Sequence, residues 1–125
     1  MKRTLLILLT ITLAVACREQ KQPQPFSVIP MPNDVTLAEG SFNVAGAPVS
    51  YDENVDAASA KAIDGFVKTL ETVTGKAGKN GKNGEIHFSL NPNLGAEEYF
   101  LQVKTDGVNV EASAFGGFFY AIQTL

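Results

Sequence analysis

Two carboxylate pairs, one histidine, one cysteine and a stretch rich in glycine and lysine are where this 125-residue chain could carry chemistry. Paired acids can share general acid and base work, provided their surroundings push their proton affinities apart. Asp52-Glu53 lies in the polar run Ser50-Tyr51-Asp52-Glu53-Asn54, where both side chains are expected to be solvated. Glu97-Glu98 opens an alternating apolar run and reads the same way. His87 falls by alternation on the strand face opposite Ile86 and Phe88, together with Glu85 and Ser89. A lone histidine can serve as a base or a single ligand, but neither HExxH nor a Cys/His cluster accompanies it. It is therefore expected at a surface or a domain interface. No G-x-S-x-G elbow is present. Residues 75–84 hold several glycines and lysines without the GxxxxGK[ST] spacing of a phosphate loop, so they read as a plain surface loop. The expected catalytic, cofactor-binding and metal-binding sets are all empty.

The cysteine carries a different chemistry. Lys2 and Arg3 precede an apolar run from Leu5 to Leu13, and Ala14-Val15-Ala16 are the small residues of a cleavage site. The run is too short to span the roughly 30 Å of bilayer hydrocarbon. Leu13-Ala14-Val15-Ala16-Cys17 resembles a bacterial lipobox, with Ala14 where leucine is usual. The resemblance implies diacylation of Cys17, which also accounts for an unpaired thiol in an exported chain. Residues 1–16 are expected to be removed as a lipoprotein signal peptide. Residues 17–25, polar and containing two prolines, would form the lipidated cysteine and a flexible tether. The expected location is an exported, membrane-anchored lipoprotein of the periplasm or outer membrane. A formal net charge of −3 and the lack of a Lys/Arg stripe argue against nucleic-acid binding.

From about Phe26 onward the chain is patterned for a domain. Short strands are expected at 35–38, 41–45 and 48–51, punctuated by Gly40, Gly46 and Pro48. Asp56 is a good N-cap for a helix whose Ile63, Phe66, Val67, Leu70 and Val73 recur every three or four residues, with Gly75 just past its end. Ile86, Phe88 and Leu90 alternate as one strand. Tyr99, Leu101 and Val103 alternate as a second, and Asp106-Gly107 turns into a third carrying Val108, Val110 and Ala112. Ser113 then caps a second helix with Phe115, Phe118, Phe119, Ile122 and Leu125 as one stripe, and Gly116-Gly117 permits close approach of another backbone. These elements predict an α+β domain over 26–125, an antiparallel sheet with two helices packed on one face. Phe115, Gly116, Gly117, Phe118, Phe119 and Ile122 are the residues expected to form a core or domain-interface helix.

Three runs carry a further resemblance: Glu98 to Val103, Asp106-Gly107-Val108-Asn109-Val110-Glu111-Ala112, and Gly117-Phe118-Phe119-Tyr120-Ala121-Ile122-Gln123-Thr124-Leu125. With Ile29-Pro30-Met31-Pro32, they are similar to the N-terminal domain of family 20 glycoside hydrolases, the β-N-acetylhexosaminidases, with Ala121 where that family often has glycine. Family 84 enzymes share this module and remain the alternative, beside a non-catalytic glycan-binding lipoprotein. The resemblance implies a supporting domain that runs into a catalytic TIM barrel beyond Leu125. That barrel would be its partner, and would act on terminal N-acetylglucosamine or N-acetylgalactosamine by substrate-assisted retaining catalysis. The acids of such a barrel follow a His and two glycines, a context Asp52-Glu53 lacks, so those roles are not carried onto this pair.

Overall fold

The computed structural model describes residues 28–29, 31–78 and 84–125. The expected signal peptide, Cys17 and the expected tether lie outside the described residues, as does the middle of the 75–84 loop. Six elements follow in order: β1 (Val49–Tyr51), α1 (Ala57–Thr74), β2 (Ile86–Leu90), β3 (Tyr99–Lys104), β4 (Gly107–Ala112) and α2 (Phe115–Thr124).

The strands form one sheet in the order β1-β2-β4-β3. It is α+β as expected, but the sheet is mixed rather than antiparallel. β1 pairs parallel with β2, β2 pairs parallel with β4, and only the β3–β4 hairpin is antiparallel. The cause is the connections. The 18 residues of α1 carry the chain back to the end where β1 began, so β2 must run beside it in the same sense. β3 occupies the far edge as the antiparallel return, and β4 inserts between β2 and β3.

Register turns the period-2 patterns into rows. Val49, Ile86, Val108 and Val103 lie across one row, and Tyr51, Phe88, Val110 and Leu101 across the next. Their helix-facing centre makes the core with Ile63, Phe66 and Val67 of α1 and Phe118 and Ala121 of α2. Phe88 is fully buried between the helices, its ring 6.0 Å from Phe66 and 6.2 Å from Phe118. Truncating a side chain so placed costs about 3–5 kcal/mol.

Helix α1 starts and stops where its end residues dictate. Asp56 Oδ1 accepts the amides of Ala58 and Ser59 at 2.9 and 3.1 Å, and Oδ2 accepts the Ser59 hydroxyl. Gly75, at φ 68°, closes the last turn with its N–H on the Glu71 carbonyl. The apolar stripe is shorter than its sequence suggested, because Val73 is 78% exposed where the last turn leaves the sheet behind. Two expected strands are also absent: 35–38 and 41–45 have no strand hydrogen bonding. Val35 and Leu37 are exposed, and only Phe42 and Val44 rest against the core. Alternation supplies a face, but a strand also needs a neighbour's free edge.

The hydrogen bonds from Ser59, its hydroxyl first and then its amide, hold the Asp56 carboxyl below the usual carboxylate range. A depressed folded-state pKa stabilises above the unfolded value, near 4, and that stabilisation is lost as pH falls through the folded value. Asp56→Ala is therefore expected to lower the Tm by roughly 5 °C at neutral pH. The gap to the unsubstituted chain should close below about pH 4 in thermal melts followed by circular dichroism.

Candidate functional site

Two features of the fold bring chemistry-bearing or partner-seeking residues together. The first lies on the sheet face away from the helices. β1 and β2 pair Ser50 with His87, and the residue after β1, Asp52, reaches the same imidazole. Ser50 Oγ is 2.8 Å from His87 Nδ1, and His87 Nε2 is 3.3 Å from Asp52 Oδ1. Asp52 Oδ2 accepts the Leu90 amide at 3.0 Å. The lone histidine is thus held on both sides, and Asp52, though more than a third exposed, is also tied to β2. Glu53 stays exposed, as do Glu97 and Glu98, although Glu98 accepts the Gly95 amide.

A serine, a histidine and an aspartate in a row invite comparison with a nucleophilic triad. The geometry does not support that role. Ser50 is only 5% exposed, its oxygen already accepts the Gly84 amide at 2.9 Å, and it lines neither the depression beside Gln102 and Asn109 nor the one beside Val67 and Lys68. An acyl-transfer site needs an exposed nucleophile beside a place for the reacting carbonyl. What the trio can do is fix β1, the start of β2 and the segment after β1 to one another. Neighbouring on the same face, Glu111 accepts the side-chain amides of Asn91 and Asn109, a second closed set. The described residues hold no group of three or more His, Cys, Asp or Glu placed to bind a metal.

Sequence reasoning missed the trio because its members are 37 and 35 residues apart, joined only by register. The signal available was the matched alternation of Ser50 and His87 on two strands, which is informative only once those strands are known to pair.

The second feature is helix α2. Its stripe divides: Phe118 and Ala121 are fully buried and Ile122 packs at the core edge, while Phe115 and Phe119 are 44% and 42% exposed. The two exposed rings stack with centroids 5.9 Å apart, and Tyr120 meets Phe119 edge-on. A stripe at spacings of three and four covers more than one side of so short a helix, and the sheet can take only one side. Gly116 and Gly117 seat the helix. A Cβ on Gly117 would collide with the Glu98 carbonyl and lie 2.8 Å from Ala112 Cβ, and one on Gly116 would meet the Ala96 carbonyl at 2.9 Å. The N-cap is Ala114 with no side-chain bond, because the Ser113 hydroxyl donates instead to the Gly95 carbonyl. At the far end Thr124 donates to the Tyr120 carbonyl, so Tyr99 of β3 donates its hydroxyl to Thr124 at 2.8 Å.

The architecture and its aromatic helix can be set beside known proteins. Residues 26–125 match the family model for glycosyl hydrolase family 20, domain 2. The chain belongs to that family. No curated protein matches this family 20 domain. Among solved structures it is similar to an exo-β-N-acetylglucosaminidase mutant from Vibrio harveyi, with TM-score 0.65 and 23% identity over 76% of this chain and 15% of that one. It is similar to the chitobiase of Flavobacterium johnsoniae, with TM-score 0.63 and 23% identity over 76% of this chain and 17% of that one. A β-N-acetylhexosaminidase from Bacteroides fragilis gives TM-score 0.59 and 25% identity over 78% of this chain and 20% of that one. The family 20 domain therefore spans a fifth or less of these structures' own length. The matched family is family 20, which sets aside the family 84 alternative.

The glycines give a paired test. Gly117→Ala forces a methyl group into backbone and should destabilise by about 2 kcal/mol or more in urea unfolding. Gly65→Ala, on the exposed face of α1 with nothing within 4 Å of the new Cβ, should stabilise by about 0.5–1 kcal/mol.

Proposed function

We propose that this chain is the N-terminal accessory domain of an exported β-N-acetylhexosaminidase whose catalytic TIM barrel is a separate domain. The observation that carries the reading is the family 20 domain 2 match across 26–125, in a domain whose described residues offer no exposed catalytic constellation. The solved structures it resembles include an exo-β-N-acetylglucosaminidase and a chitobiase, in which a domain of this shape is a small part of the chain.

The whole enzyme would remove terminal N-acetylglucosamine or N-acetylgalactosamine residues from glycans. In the substrate-assisted route, the acetamido oxygen of the substrate attacks the anomeric carbon while a barrel acid protonates the leaving oxygen. This is an exception to the usual scheme in which both working carboxylates belong to the protein. The domain described here contributes no reacting group. Its role is mechanical: Phe115 and Phe119, stacked and half-exposed on α2, would be covered by the barrel, and Gly116 and Gly117 hold that helix rigidly on the sheet. Exposed aromatic pairs are efficient anchors of domain contacts, because each buries a large area with few rotors.

Diacylated Cys17 would hold the enzyme at the membrane through the 18–25 tether. More than one acyl chain gives stable anchoring, where a single chain binds only marginally. Among the described residues no helix is long and apolar enough to cross a membrane.

Three experiments test this. Residues 18–125 should release no p-nitrophenol from p-nitrophenyl N-acetyl-β-glucosaminide, whereas the chain extended through its barrel should. In the extended enzyme, Phe115→Ser with Phe119→Ser should lower the Tm and raise binding of a hydrophobic dye. Turnover by residues 18–125, or an extended enzyme indifferent to both substitutions, would contradict the assignment. For the anchor, Cys17→Ser should abolish incorporation of labelled palmitate and move the protein from the membrane to the soluble fraction.

A further inference from the structure

The proposed function leaves the Ser50–His87–Asp52 trio unused, and the charge state of the ring gives its hydrogen bonds a direction. Ser50 Oγ accepts the Gly84 amide at 2.9 Å, so its single proton is free to donate. The acceptor within reach is His87 Nδ1 at 2.8 Å. Asp52 Oδ1, 3.3 Å from Nε2, can only accept while ionised, so the neutral ring keeps its proton on Nε2 and leaves Nδ1 bare for the Ser50 hydroxyl. The chain runs from Gly84 N–H to Ser50 O–H to His87, and from His87 N–H to Asp52. It holds only for the neutral ring.

Gly84 is where the segment leading into β2 presses on β1. A Cβ there would lie 2.6 Å from the Ser50 amide nitrogen and 2.7 Å from the Pro48 carbonyl. Its amide has no other partner in this chain of bonds than the Ser50 hydroxyl. Whatever loosens that hydroxyl therefore loosens the junction.

We infer that the Gly84–Ser50–His87–Asp52 chain is a pH-dependent tie, which fastens the start of β2 to β1 while His87 is neutral and slackens when the ring gains its second proton. Protonation sets an N–H on Nδ1 against the hydroxyl proton of Ser50. The hydroxyl must then turn, and in a site 5% exposed its proton loses its acceptor. At the other end the ring's pairing with Asp52 becomes ionic, but both side chains are more than a third exposed, so solvent screens the gain. Among the described residues, the other charged groups on this face are Glu85 at the head of β2, Glu111 on β4 with its carboxylate already held by Asn91 and Asn109, and Lys104 at the end of β3. β4 sets uncharged Asn109 opposite His87. The hydrogen bonds of the Ser50 hydroxyl run to His87 Nδ1 and from the Gly84 amide.

The test uses the full chain, labelled with ¹⁵N and taken between about pH 8 and pH 5, the range in which an imidazole changes charge. Long-range proton–nitrogen spectra should show His87 as the Nε2–H tautomer at the high end. Hydrogen exchange at the Gly84 amide, corrected for its intrinsic pH dependence, should accelerate about tenfold as the ring is protonated. The Val110 amide in the sheet centre should keep its protection. His87→Asn places an amide oxygen where Nδ1 accepts but cannot titrate, and should remove the pH dependence at Gly84. An Nδ1–H tautomer in the unsubstituted chain, corrected exchange at Gly84 that does not change with pH, or the same pH response in His87→Asn would each overturn the proposal. If His87→Asn does not fold, the tautomer and the exchange profile of the unsubstituted chain decide the matter.

Discussion

Everything in this domain is arranged around the Phe88 ring. It stands at the middle of the central strand β2, fully buried, with Phe66 of α1 on one side and Phe118 of α2 on the other. Those contacts join three segments far apart in sequence, and they decide where each helix lies on the sheet. Once α1 is drawn onto Phe88, the chain can return only at the same end of the sheet, which makes β1 and β2 parallel. Once α2 is drawn on from the other side, its backbone must approach the Ala96–Glu98 segment closely, which only glycine at 116 and 117 allows. The aromatic centre thus sets the topology as well as filling the core.

The same constraint explains why one face of α2 is left over. A helix of ten residues seated through Phe118 and Ala121 cannot also bury Phe115 and Phe119 in the same sheet. The exposed, stacked pair is what a supporting domain needs if it is to be held by a larger neighbour, and what a self-sufficient domain would tend to avoid. On the opposite side of the sheet the polar side chains are mutually satisfied, and no buried side-chain polar atom among the described residues lacks a partner. That face is closed by its own hydrogen bonds, while the α2 face keeps Phe115 and Phe119 half-exposed; under the proposed function the barrel would cover them.

Local signals were legible where one residue decides an outcome by itself. Asp56 begins α1 and Gly75 ends it because each meets backbone groups within three or four residues. The Asp106-Gly107 hairpin and the alternation of β2, β3 and β4 were readable for the same reason. The misreadings all required knowledge of a distant partner. Segments 35–38 and 41–45 have the right alternation but no edge to pair with, Val73 continues the helical stripe past the end of the sheet, and Ser113 spends its hydroxyl on Gly95 rather than on the helix start.

By itself, then, the sequence determined the types of the six elements that form, most of their ends, the identity of the apolar faces and the family resemblance, since these depend on side chains within a turn or two of each other. Tertiary structure alone decided that the sheet is mixed, that the α2 stripe divides into a buried and an exposed side, and that Ser50, His87 and Asp52 meet. Each of those outcomes depends on strand order and register, set by the joint packing of Phe66, Phe88 and Phe118. No single stretch of the chain contains that information.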